Sequence, residues 1–293
     1  MRAFPELWAR LEAGGAFWAD GAGNRFVLLD GLSALPAEAG EWAQALCDPQ
    51  AECCDRLGRR PDGLVILKRP SGADGPRMVI FNADGSRPEA CGNALRCVAA
   101  HLFAQAPRSI QEWHVETDAG RRRIWRAGTY GVRVSMGAAR MRSRATTLDV
   151  EGRSVMGFEV DMGNPHFVIP PGSVEASQVA WFGPRLSQHP HFSAGTNVEF
   201  VCNEAAPWVV RVWERGVGET EACGSGACAV AHAMSLSAAD GNRSGPCEIS
   251  MPGGTLVVTQ DEGELVLSGD ATVVPWKPIF PLRGLGGEPV SKL

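Results

Sequence analysis

The stretch "FNADGSRPEACGNALRCVAAH" (Phe81–His101) returns in altered form as "ERGVGETEACGSGACAVAH" (Glu214–His232). Cys91 and Cys223 lie 132 positions apart, and the same offset relates Glu89 to Glu221, Ala90 to Ala222 and Gly92 to Gly224. It also relates Gly63 to Gly195 and Asn82 to Glu214. Each first cysteine is followed by a second, Cys97 or Cys228, and then by a histidine, His101 or His232. Further upstream, "DGAGNRFV" (Asp20–Val27) is echoed by "DMGNPHFV" (Asp161–Val168). Self-similarity at this scale predicts two halves descended from one unit; solenoid repeats are much shorter.

Each half carries the same order of elements. Apolar β-rich runs come first: "FVLLD", "GLVILKR" and "RMVIFN", then "FVIPP", "TNVEFVC" and "WVVRVWE". A glycine-containing loop follows, then the cysteine, then a run of helical composition. "NALRCVAAHLFAQA" is predicted to stop before Pro107, and "GACAVAHAMSLSAA" near Gly241. "ISMPGGTLVVTQDEGELVLSGDATVV" reads as a closing pair of hairpins. The expected fold is α+β: two pseudo-symmetric domains, residues 1–140 and 141–275, with 276–293 as a terminal strand or tail. The boundary is placed between Ser135 and Val150, where glycine, arginine and alanine replace the strand pattern. "RRR" (Arg121–Arg123) reads as a solvated turn.

The position of the two cysteines is chemically loaded. The first N–H groups of a helix have no intrahelical partner, and the helix dipole is positive there. A cysteine at that end is expected to have its thiolate stabilised. Gly92 and Gly224 lack side chains and permit close backbone approach, and the exposed N–H groups can hold a carboxylate. Two such halves, face to face, put two thiols on opposite sides of one ligand. One as thiolate removes a proton; the other as thiol returns one to the opposite face. That sequence inverts a stereocentre with no cofactor or metal, provided electrostatics stabilise the carbanion.

The remaining composition narrows the classes. The 293 residues are 44% hydrophobic and 21% charged with net charge −5, which suits a globular chain and gives no support for nucleic-acid binding. No apolar run approaches the roughly 18 residues of a membrane span. "MRAFPELWARLEAGG" lacks a secretory apolar core, and an odd count of nine cysteines argues for reduced thiols in a cytoplasm. The terminal Ser291-Lys292-Leu293 matches a peroxisomal address, set aside because three residues match by chance and the Ala/Gly/Arg-rich composition is bacterial in character. Zinc is disfavoured because no Cys-x-x-Cys pair occurs. Cys53–Cys54, Cys97 and Cys228 are read as packing, and Cys47, Cys202 and Cys247 carry no pattern. "DGAGN" lacks the Gly-Lys-Ser/Thr of a phosphate loop.

These segments together resemble the diaminopimelate epimerase family, within the cofactor-independent two-cysteine epimerases and racemases. The resemblance runs from about Phe17 to Pro278 and rests on "GAGNRFVLLD", "FNADGSRPEACGNALRC", "MGNPHFVI", "GTNVEFV" and "WERGVGETEACGSGACA". It implies two β-barrel-like sheets, each around a central helix, with the active site in the cleft between them, and a homodimer. It implies epimerisation of LL-2,6-diaminopimelate to the meso form for lysine and peptidoglycan synthesis. It places the acid/base roles on Cys91 and Cys223 and puts His166 and Glu214 near the reacting centre. Asn24, Asn82, Asn164 and Asn197 become substrate-binding asparagines. Arg215 holds the distal carboxylate, and Gly92–Asn93 and Gly224–Ser225 supply backbone sites. The chemistry agrees: an arginine grips a carboxylate with two parallel bonds, a glutamate accepts from an ammonium, and asparagines add donors and acceptors without charge.

The alternatives are a related racemase of another amino acid, or a non-catalytic binding protein of the same fold. Asn93 and the Glu214–Arg215 pair argue against the proline type. The chain departs from the family pattern at Ala94, where glycine is usual and a positive φ would make alanine costly, and at Gly63, where a substrate-binding glutamine is common.

Overall fold

The computed structural model describes residues 4–51, 53–55, 57–69, 75–128, 131–237 and 245–276. The first half runs α1 (Pro5–Glu12), β1 (Ala16–Gly21), β2 (Asn24–Leu32), α2 (Ala39–Cys47), β3 (Gly63–Lys68), β4 (Arg77–Asn82), α3 (Gly92–Gln105), β5 (Glu112–Thr117), β6 (Gly120–Ala127) and β7 (Gly131–Gly137). The chain continues through β8 (Arg140–Val150), β9 (Arg153–Asp161), β10 (Pro165–Ile169), α4 (Val179–Ser187), β11 (Asn197–Val201), β12 (Trp208–Glu214) and β13 (Gly218–Thr220). It closes with α5 (Gly224–Ser237), β14 (Cys247–Met251), β15 (Gly254–Asp261), β16 (Glu264–Gly269) and β17 (Thr272–Pro275).

The two halves share one wiring. An antiparallel pair (β1–β2, then β9–β10) leads through a crossover helix (α2, then α4) to a parallel neighbour (β3 on β2, then β11 on β10). An antiparallel partner follows (β4, then β12), then the cysteine helix, α3 or α5. Antiparallel strands β5–β6–β7 and β14–β15–β16 complete each set, and β7 joins β16 edge to edge. The strand after each set pairs with the opening strand of the other half: β8 with β9, and β17 with β1. The wiring is that of two α+β units, each wrapping a mixed sheet around one helix.

Period-two alternation explains why the strands read as unbroken apolar runs. In β2, β3 and β4 the residues Val27, Leu29, Leu64, Ile66, Val79 and Phe81 face one core together with Leu46 of α2. Their neighbours Phe26, Leu28, Val65, Leu67, Met78 and Ile80 face the other core with Leu95, Val98 and Leu102 of α3. The second half repeats the scheme. Phe167, Ile169, Val198 and Phe200 pack on Val179, Phe182 and Leu186 of α4, while Val168, Val201 and Val210 face Ala227 and Val230 of α5. By that alternation, His166 and Glu199 occupy positions that point at α5 from inside the sheet.

Two expectations fail here. Arg121–Arg123 form part of β6 and not a turn, paired with Glu116, Val115 and His114 of β5. The Ser135–Val150 stretch is strand for most of its length: β7 pairs through the backbone with β6 and β16, and β8 pairs with β9 while exposing Arg140, Arg142 and Arg144. The helix from Gly224 is described to Ser237, so its predicted end near Gly241 lies outside the described residues, as do Ser291–Leu293. Among the described residues no helix is long and apolar enough to cross a membrane.

Candidate functional site

The helices α3 and α5 meet at their N-termini. A Cβ on Gly224 would lie 3.3 Å from Gly92 Cα, and a Cβ on Gly92 would press on Met136 and Leu267 at 2.8 and 3.1 Å. The glycines are therefore required by the approach of the protein to itself, since neither has a left-handed φ. Cys91 is the N-cap of α3 in an extended conformation (φ −143°, ψ 119°), and Cys223 immediately precedes α5. The duplication thus brings the starts of the two cysteine helices together, with Cys91 partly exposed and Cys223 buried.

Around Cys223, the Gly226 N–H donates to Sγ at 3.4 Å and Ser225 Oγ lies 3.5 Å away. The Glu214 carboxyl, which also bears on this thiol, accepts from Thr220 Oγ1 at 2.6 Å. Cys91 Sγ stands 3.9 Å from Asn24 Oδ1. Glu214 bears on both thiols and opposes the ionisation of each.

The expected lowering of the thiol pKa values does not appear. Burial pushes both thiols up, Cys223 the more strongly because Glu214 and Glu199 add to it. The helix-end donors work in the expected direction, from the Ala94 and Asn93 N–H groups on Cys91 and from Gly226 on Cys223, but desolvation outweighs them. Burial likewise raises the Glu214 carboxyl, against hydrogen bonds from Thr220 and Cys223.

His166 is fully buried, and its Nδ1 lies 2.7 Å from Glu199 Oε1 while Nε2 meets Asn164 Oδ1 at 3.0 Å. Glu199 is also wholly buried, its Oε2 has no partner among the described residues, and a Cβ on Gly226 would sit 2.7 Å from Oε1. This carboxylate went unnoticed in the sequence. Its signal was there: one charge inside the apolar run "NVEFV", at a position that alternation turns toward the cysteine helix.

Asn197 Nδ2 donates to the Pro165 carbonyl at 3.0 Å, and its Oδ1 accepts from the Arg215 N–H at 3.0 Å. Arg215 itself is exposed, with Nη1 on the Ala194 carbonyl at 3.0 Å. Asn24 Nδ2 donates to Asp62 at 3.2 Å. Asn93 is buried, and its side chain is used within the protein, on the Ala222 carbonyl and Arg96. Asn82 stands apart from this network, donating to Ser86 Oγ at 2.9 Å. Asn164, Pro165 and His166 open onto a cavity of about 270 Å³ that Arg142, Glu159 and Phe192 help to line.

The two departures are resolved. Ala94 lies inside α3 with no left-handed φ, so alanine costs nothing there. A Cβ at Gly63 would fall 2.5 Å from the Phe81 carbonyl, so no side chain fits at that position.

A family model described as diaminopimelate epimerase matches residues 17–142 and 158–274. A curated diaminopimelate epimerase of Desulforudis audaxviator is 41% identical over 273 residues, covering 87% of this chain and 95% of that protein. One of Desulfitobacterium hafniense is 35% identical, covering 87% and 94%. Among solved structures, a probable proline racemase from Agrobacterium radiobacter superposes with a TM-score of 0.62 at 14% identity, covering 91% and 94%. A predicted epimerase from Pseudomonas aeruginosa gives 0.61 at 18%, covering 88% and 96%.

Proposed function

The chain belongs to the diaminopimelate epimerase family, and from that premise we propose how its residues divide the work of the reaction. The protein is an isomerase that epimerises LL-2,6-diaminopimelate to the meso form, a step of lysine biosynthesis. Cys91 and Cys223 are the acid and base. The observation that carries this assignment is the meeting of the two cysteine helices at Gly92 and Gly224.

One thiol must be ionised before it takes the α-proton, and the other delivers a proton to the opposite face. Both thiols are held above their usual range by burial, so each gives up its own proton reluctantly and the thiolate formed is a strong base. The carbanion bears its charge beside the substrate carboxylate. Helix N-termini are suited to that charge, and the N–H groups of Gly92, Asn93, Gly224 and Ser225 supply donors there. Glu214, beside both thiols, accepts from the ammonium of the reacting carbon. His166, buried and with both ring nitrogens held by Glu199 and Asn164, fixes the position of Asn164 beside the same region.

Asn24, Asn82, Asn164 and Asn197 bind the substrate's polar groups, and Arg215 grips the distal carboxylate through its exposed guanidinium. The proposal includes a division into residues 1–140 and 141–275, with β17 lent to the first sheet, and a cytoplasmic homodimer. No cofactor enters the scheme. The test compares turnover of LL-diaminopimelate with turnover of proline by the purified, reduced protein. Turnover of diaminopimelate alone supports the distal-end assignment. Comparable turnover of a monocarboxylate amino acid refutes it.

A further inference from the structure

Arg96, in the second turn of "GNALRC", has no accessible surface. Among the described residues it is the one arginine or lysine so deeply buried. A cation in such a place is costly unless something uses it. Its hydrogen bonds run to neutral acceptors: Nη2 donates to Asn93 Oδ1 at 2.7 Å, and Nη1 to the Asp270 carbonyl at 3.4 Å. Its Nε has no partner among the described residues. Gly269 leaves the guanidinium its space, since a Cβ there would fall 2.3 Å from Nη1.

What surrounds the charge is informative. The groups bearing on it electrostatically are Cys91 and Cys97 of its own helix, Cys228 of α5 and Asp270 of the β16–β17 connection. Cys97 and Cys228 are buried among apolar neighbours, their thiols raised to about 12. Asp270 is the one carboxylate of the four. Cys91 is the one that caps the turn Arg96 holds through Asn93; burial pushes its thiol up too, and Glu214 and the Asn93 and Ala94 N–H groups also face it. Meanwhile Asn93, held by Arg96, donates through Nδ2 to the Ala222 carbonyl at 3.2 Å, directly before Cys223. One guanidinium therefore bonds the first turn of α3 and the link between the last two strands, and reaches the backbone ahead of the second cysteine through Asn93.

We propose that Arg96 is a positioning residue for the two-cysteine centre. Through Asn93 it fixes the backbone before Cys223 against the start of α3, and its buried charge is the fixed cation that favours a thiolate at Cys91. The proposal rests on the acid/base reading of the cysteines.

Alkylation by iodoacetamide, followed against pH with Cys91 and Cys223 read as separate peptides, tests it in the full-length protein. Arg96→Met should slow alkylation of Cys91 about tenfold at neutral pH, a shift of about one pH unit in its midpoint, and move Cys223 less. Arg96→Lys should keep the wild-type midpoint while kcat falls about tenfold at unchanged KM, because an ammonium lacks the planar fork. A folded Arg96→Met protein with an unmoved Cys91 midpoint overturns the proposal. If Arg96→Met does not fold, the lysine variant decides alone. Wild-type kcat in that variant, or a raised Cys91 midpoint, also overturns the proposal. Alkylation reads the thiols without turnover, so a wild-type protein inactive on diaminopimelate would refute the reaction assignment and leave this comparison intact.

Discussion

Replacing Glu199 by glutamine removes one of two carboxylates that oppose ionisation of Cys223. Glu199 is fully buried, held on one side by His166 at 2.7 Å, its Oε2 without a partner among the described residues. A carboxylate within a few ångströms shifts a neighbour by roughly one to three pH units. Glu214 remains in place, so the low end applies: the Cys223 midpoint should fall by about one unit, or about 1.4 kcal/mol in favour of the thiolate. Glutamine keeps the shape and one hydrogen bond to His166 but loses its charge, so His166 is less firmly held. The variant should therefore alkylate faster at Cys223, roughly tenfold at neutral pH, while kcat on diaminopimelate falls by about 10- to 100-fold. Peptide-resolved alkylation and steady-state kinetics on one preparation measure both. Unchanged or slower alkylation of Cys223 would refute the electrostatic reasoning, whatever the activity does.

Further outcomes follow from the same geometry. Arg215→Met should raise KM for diaminopimelate by roughly 10- to 100-fold with a smaller change in kcat, since a charge-assisted pair contributes about 1.5–3 kcal/mol to binding; isotherms and kinetics check this. Gly253→Ala puts a Cβ 2.0 Å from the Ala22 carbonyl at the β1–β2 tip that leads to Asn24, and should cost about 1–3 kcal/mol by denaturant unfolding. Asp30 accepts from His101 and Arg69, and these bonds hold its carboxyl well below the usual range against burial, which pushes it up. A depressed acid stabilises the fold above its unfolded pKa of about 4 and loses that contribution as pH falls toward the folded value. Asp30→Asn should accordingly lower the urea midpoint at pH 7 and flatten its decline on acidification.

The features legible in the sequence were those the duplication displayed twice. The cysteine–glycine starts of α3 and α5 needed no structure, because matched contexts 132 positions apart outweigh the ordinary reading of a cysteine before a helix. The buried strands β2, β3, β4, β10 and β11 were legible as apolar runs, each lying between two cores. Strands β6 and β8 were missed because arginines interrupt their apolar pattern and their pairing partners are set by tertiary register, which composition does not carry. Glu199 and Arg96 were passed over for a related reason: a lone charge in an apolar run announces itself only when the fold shows which way it points. The thiol pKa direction was misjudged because the helix ends are visible in sequence, whereas the burial that overrides them arises only when the two halves close on each other.

Proton NMR of LL-diaminopimelate in heavy water, with the reduced protein and no added cofactor, tests the two-thiol centre most directly when Cys91→Ala and Cys223→Ala are run beside the wild type. The wild type should lose the α-proton signal as meso product forms, and each alanine variant should fail to make the meso product. Epimerisation at the wild-type rate by either variant would contradict an acid and a base shared between Cys91 and Cys223.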